Sequence, residues 1–109
     1  MGLDIYIQAF DENDEPAGSV VELRSRTLFH AFNDYFSSVK GDTPNAGEKM
    51  YFPKAEWNGL FFKGLYSGAL YQMYLEDGYE DQEIHELIRQ VNAPLEPANM
   101  AYVRYYFTC

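Results

Sequence analysis

Residues Leu3-Asp4-Ile5-Tyr6-Ile7-Gln8-Ala9-Phe10 alternate strictly, with Leu3, Ile5, Ile7 and Ala9 on one side. An extended strand points successive side chains to opposite faces, so this period of two predicts a strand with one buried face. At the other end of the chain, Met100 to Phe107 is aromatic and β-branched and reads as a second strand. The two terminal strands are expected in one small antiparallel sheet, with about three helices packed on one face. That is an α+β fold.

The segment between them divides at its turn formers. Asp11 to Gly18 is dense in acids, Asn, Pro and Gly and reads as a solvated loop. Ser19-Val20-Val21-Glu22 has the form of a capping box, with the hydroxyl at the N-cap and the carboxylate three residues on. It predicts a helix over about 20–39, with Leu28, Phe32, Tyr35, Phe36 and Val39 as its apolar stripe and Gly41 as its stop. Lys49 to Phe52 reads as a short strand. Pro53 suits the first turn of a helix over Lys54–Lys63 that buries Trp57, Leu60 and Phe61 and ends at Gly64. Gly68 to Leu75 fits either a helix or a strand. Asp77 or Asp81 is expected to cap a further helix reaching about Val91, buried through Ile84, Leu87, Ile88 and Val91 and ended by Pro94 and Pro97.

A chain of 109 residues fits one domain, 1–109, and no internal repeat or linker divides it. With 47% hydrophobic and 17% aromatic residues it is too apolar for a disordered chain. The single cysteine, Cys109, rules out an intrachain disulfide. The absence of a basic, apolar leader and of any long apolar run predicts neither secretion nor membrane spanning, so a reducing cytoplasm is expected.

Familiar chemistry fails at named positions. Gly59-x4-Gly64 opens like a phosphate loop, but Leu65 and Tyr66 stand where Lys and Ser/Thr must be. His85-Glu86-Leu87-Ile88 begins like a zinc-protease helix, but Arg89 replaces the second histidine. Asp11, Asn13, Glu15 and Glu22 follow a calcium-loop spacing, but Pro16 holds the place where Gly must turn the chain. His30 with Asp34, and His85 with Asp81, are i,i+4 pairs that share a helix face. Neither has a marked nucleophile beside it. No catalytic residue, cofactor or metal site is expected, and the chain is not read as an enzyme.

Charge is the stronger signal. Seventeen acids against eight bases give a net charge of −9, which repels nucleic acid and anionic lipid and favours a basic protein partner. Residues 1–23 carry six acids and no base, and residues 64–109 carry seven acids and two bases. Glu76, Asp77, Glu80, Asp81, Glu83 and Glu86 place six acids within eleven residues. If helical, Glu76, Glu80 and Glu83 follow one ridge about 5–6 Å apart, with Asp77 and Asp81 alongside. Such a ridge imitates a run of phosphates. Tyr66, Tyr71, Tyr74 and Tyr79 surround it, and Tyr79 is the expected anchor.

The opening Met1-Gly2-Leu3-Asp4-Ile5-Tyr6-Ile7 resembles that of small phage and prophage proteins that begin Met-Gly-Leu-Asp-(Met/Ile)-Tyr. The resemblance continues through Leu23-Arg24, Phe29-His30-x-Phe32 and Gly47-Glu48-x-Met50-Tyr51-Phe52, over about the first 57 residues. Ser25 and Arg26 depart from the Arg-Lys helix start of that group, and Phe32 sits near its usual Trp. The resemblance implies a phage or bacterial setting and carries over no catalytic residue.

The expected function is therefore a non-enzymatic acidic inhibitor that binds a basic nucleic-acid-handling protein. A phage anti-defence protein of the anti-CRISPR, nucleic-acid-mimic type has this character. An immunity protein against a nuclease toxin uses the same physics with a different partner. A phage structural or assembly protein is a third reading. A small-molecule-binding domain or hydrolase with His30 or His85 in a Tyr-lined cavity is a fourth.

Overall fold

The computed structural model describes residues 3–59, 68–95 and 99–108. β1 (Asp4–Phe10) forms where the alternation predicts it, with Ile5, Ile7 and Ala9 buried. β4 (Tyr102–Thr108) pairs antiparallel with it along its whole length. The register sets Ile5 opposite Phe107, Ile7 opposite Tyr105 and Ala9 opposite Val103 on the inner face. It sets Tyr6 opposite Tyr106, Gln8 opposite Arg104 and Phe10 opposite Tyr102 on the outer face. β2 (Val21–Leu23) and β3 (Met50–Pro53) flank this pair, and the sheet order is β2-β1-β4-β3.

β2 corrects the expected helix start. Val21 and Leu23 are buried and Glu22 is exposed, a period-two pattern that pairs Leu23 with Ile5 and Val21 with Ile7. Ser19 and Glu22 therefore form no capping box. Burying two β-branched or leucine side chains against the sheet outweighs a surface cap worth about 1 kcal/mol. Helix α1 (Arg26–Lys40) starts six residues later, at Ser25, whose extended backbone lets Oγ accept from the Leu28 amide at 3.2 Å. It stops at Gly41, whose φ of 76° is the left-handed conformation glycine favours. Leu28, Phe32, Tyr35 and Phe36 are buried as expected, whereas Val39, in the last turn, is 60% exposed.

Helix α2 (Lys54–Trp57) follows Pro53 directly and buries Trp57. The expected Leu60, Phe61 and Gly64 lie outside the described residues. The 68–75 segment resolves as helix α3 (Ala69–Glu76), burying Leu70 and Tyr74. Helix α4 (Asp81–Leu95) buries Ile84, Ile88 and Val91, with Leu87 half-buried. It runs past Val91 through Pro94 to Leu95 rather than ending before that proline, whose missing amide proton and ring crowding fall in the helix's last turn. The inner face of the sheet and the helices share one core built around Phe32, Phe36, Phe52, Trp57 and Tyr105.

Three core phenols need polar partners in this apolar setting. Tyr35 donates to Glu56, Tyr105 donates to Asn33 at 3.2 Å, and Tyr74 shares a 2.6 Å bond with Ser25. Burial, reinforced by Glu56, pushes the Tyr35 hydroxyl up to about 12 from its ordinary 10.0. Burial raises Tyr74 and Tyr105 as well. On the outer face, burial and then Asp14 push Tyr102 up to about 12 from 10.0. Above pH 10 the unfolded chain releases protons that the folded chain retains. Stability is therefore intact below that pH and is lost as pH rises toward about 12. Urea-unfolding midpoints measured across this range are expected to fall steadily. A flat profile would contradict the buried phenols.

Candidate functional site

The corner between α3 and α4 carries all seven residues expected to bind a partner. α3 ends because Gly78, at φ 92°, takes the left-handed conformation. The Gly78 amide bonds the Leu75 carbonyl at 3.1 Å, and the Tyr79 amide bonds the Tyr74 carbonyl at 3.0 Å. This is a Schellman closure, and its usual apolar contact is present as the Tyr74–Tyr79 ring pair, edge-on at 4.9 Å. Gly78 in the segment Leu75-Glu76-Asp77-Gly78-Tyr79 is the sequence signal for this turn.

The turn breaks the expected ridge. Glu76 ends one helix and Glu80 precedes the next, so Glu76, Glu80 and Glu83 share no helix face. Neither Asp77 nor Asp81 caps α4. Instead the Glu80 carbonyl accepts the first helical bond from Ile84, and the Glu83 carboxylate accepts from the Glu80 amide at 3.1 Å. This is the N3 half of a capping box.

All six carboxylate residues are exposed, but they do different things. Asp77 accepts from the Thr27 hydroxyl and ties the corner to the start of α1. Asp81 accepts from Tyr71 and lies 3.2 Å from His85. Glu86 pairs with Arg89. Glu80, Glu83 and Glu86 follow each other at three-residue steps and line one groove of about 500 Å³, with Tyr79 and Leu87 among its apolar walls. Glu76, Asp77 and Asp81 stay outside it. The structure thus brings together a different row of acids from the one expected. Arg24 also lines the groove, and its guanidinium is bonded to Asp4 at 2.8 Å. Tyr79 is half-buried and packs on the core, so only part of its ring is available to a partner.

The other candidate sites separate. Asp11 turns its carboxylate onto the amides of Asn13 and Glu15, at 2.8 and 3.1 Å. Glu22 stands on β2, opposite Tyr6. No group of three or more His, Cys, Asp or Glu able to hold a metal occurs among the described residues. His30 packs its ring against Phe29, and no bond joins it to Asp34 among the described residues. Asp81 links Tyr71 to His85, but its hydrogen bond raises the Tyr71 hydroxyl, the opposite of what a nucleophile needs. The groove, a cleft at Phe10, Tyr102 and Arg104, and a polar hollow beside Asp11 and Asn99 have no histidine in their walls. No helix among the described residues is long and apolar enough to cross a membrane.

No family model, curated protein or solved structure matches this chain.

Proposed function

We propose that this chain is a non-enzymatic acidic inhibitor of the cytoplasm, and that its α3–α4 corner docks on the basic face of a nucleic-acid-handling protein. The phage anti-defence setting is proposed on the resemblance of the N-terminal half. The observation that carries the reading is the row Glu80–Glu83–Glu86 along a groove with an aromatic and an aliphatic wall. Glu83 and Glu86, three apart on α4, stand about 5–6 Å from one another, and Glu80, just before the helix, lines the same groove, so the three act on one cationic surface together. Two guanidinium groups lie near them, Arg89 on Glu86 and Arg24 on Asp4. The excess negative charge raises the rate of encounter with a basic groove, and Tyr79 and Leu87 supply contact area that slows release. A polynucleotide competing for the same cations is excluded.

The test reverses Glu80 and Glu86 to Lys together and leaves Glu83, which holds the Glu80 amide. Both altered side chains are exposed, so the fold is expected to survive. The full chain is used to capture proteins from a bacterial lysate, and association of the retained protein is followed against salt. The expected result is a nucleic-acid-binding protein whose association slows at least about tenfold in the double variant and depends less on salt. Added single-stranded DNA should compete. Association indifferent to both the reversal and salt would sink the proposal.

A further inference from the structure

The outer face of the sheet carries a second cleft, and its chemistry is opposite to that of the acidic corner. It is an open cleft of about 550 Å³ between Phe10, Asp14, Tyr51, Tyr102 and Arg104. The strand register builds it: Arg104 stands between Gln8 of β1 and Tyr51 of β3, one step from the Phe10–Tyr102 pair. Phe10 and Tyr102 stack at 5.4 Å with their planes 3° apart. Tyr51, 45% exposed, stands edge-on to Tyr102 at 5.5 Å and forms an open wall.

Arg104 packs against aromatic rings and forms no ion pair among the described residues. Its guanidinium carbon lies 4.6 Å from the centre of the Phe10 ring and 5.9 Å from that of Tyr106. Its Nε is buried with no hydrogen-bond partner among the described residues. Its one acceptor among them is the neutral Gln8 Oε1 at 3.3 Å. The Gln8 amide is itself fixed by donating to the Gly18 carbonyl at 2.9 Å. No carboxylate among the described residues pairs with Arg104, although the chain has 17 acids. A guanidinium keeps its charge in any protein setting, and with Nε enclosed it is the Nη end of its planar fork that a ligand can reach. Here two aromatic rings flank that charge.

We propose that this cleft binds a small aromatic monoanion, its carboxylate on the Arg104 fork and its ring among Phe10, Tyr51 and Tyr102. The volume suits a small ligand. The unmatched cation selects one negative charge, and the planar walls select a flat apolar body. Asp14, bonded to the Tyr102 hydroxyl at 2.9 Å, sets one carboxylate in the wall of the cleft, in a loop that also carries Asp11, Glu12 and Glu15. That field disfavours dianions and polynucleotides, so the ligand is a monocarboxylate. This inference is independent of the proposed inhibitor role.

Indoleacetate is the probe, indoleacetamide its neutral counterpart, and ligand-observed NMR titration of the full chain the measurement. Indoleacetate is expected to bind with a Kd of about 1 mM or tighter. The amide should bind at least about tenfold more weakly, because it cannot use the charge. Arg104→Gln and Tyr51→Ala should each weaken the acid about tenfold. Tyr51 is exposed enough that its variant folds, so the test stands even if Arg104→Gln unfolds. Three outcomes overturn the proposal: no binding of indoleacetate, equal binding of acid and amide, or acid binding unchanged by both substitutions. Tighter binding of a short oligothymidylate would overturn it as well, assigning the face to single-stranded nucleic acid.

Discussion

Replacing Phe32 with alanine is expected to cost about 3–5 kcal/mol of folding stability. The ring is fully buried where α1 meets the sheet, 4.6 Å from Tyr105, 5.4 Å from Phe52 and 6.1 Å from Trp57 between ring centres. These neighbours belong to β4, β3 and α2, so the cavity would open where four elements converge and none can collapse into it alone. Dispersion contacts are lost on every side at once. A domain of this size has only about 5–15 kcal/mol to lose, so the alanine variant should sit near its unfolding midpoint in dilute denaturant. Phe32→Leu, closer in volume, should cost much less. Urea unfolding of both variants checks the difference. A cost below about 1 kcal/mol for the alanine variant would mean that the ring does not join these elements.

The same ring shows why the fold was legible in the sequence. Phe32 belongs to a stripe at helical spacing, and β1 and β4 show the complementary period of two. Such patterns survive in the sequence because each follows from local geometry. What failed depended on distant residues. Val21 and Leu23 fit a helix or a strand taken alone, and only the neighbouring β1 edge decides between them. Val39 fits the stripe, but the packing it needs does not reach the last turn of α1.

The candidate site was half legible for a related reason. The acids of residues 76–86 could be counted, but their directions depended on one turn at Gly78. Once the chain reverses there, Asp77 faces Thr27 and Glu80, Glu83 and Glu86 share a groove. The outer-face cleft was not seen at all. Its signal was the second parity of the terminal strands, with Tyr6 and Phe10 on one and Tyr102, Arg104 and Tyr106 on the other. The resulting molecule has an acidic corner between α3 and α4 and, on the open side of the sheet, an arginine with no ion pair among the described residues. The two clefts have no lining residue in common.

Ser25 joins the fold to that acidic corner, and Ser25→Ala is expected to cost about 2–4 kcal/mol, well above an ordinary cap. Its Oγ serves twice, accepting from the Leu28 amide at 3.2 Å and sharing a 2.6 Å bond with the Tyr74 hydroxyl. Loss of the cap alone is worth about 1 kcal/mol. The remainder comes from the phenol, since Tyr74 is only 1% exposed and its hydroxyl would be left buried without a partner. Tyr74→Phe removes that hydroxyl and leaves the cap intact, so it should cost only about 1 kcal/mol. In the double variant no hydroxyl is orphaned, and its cost should fall short of the sum of the two single costs by about 1 kcal/mol or more. Denaturant unfolding of the three variants measures this coupling. Strict additivity would show that the two hydroxyls do not interact, and the link between the start of α1 and the end of α3 would then rest on Thr27 and Asp77.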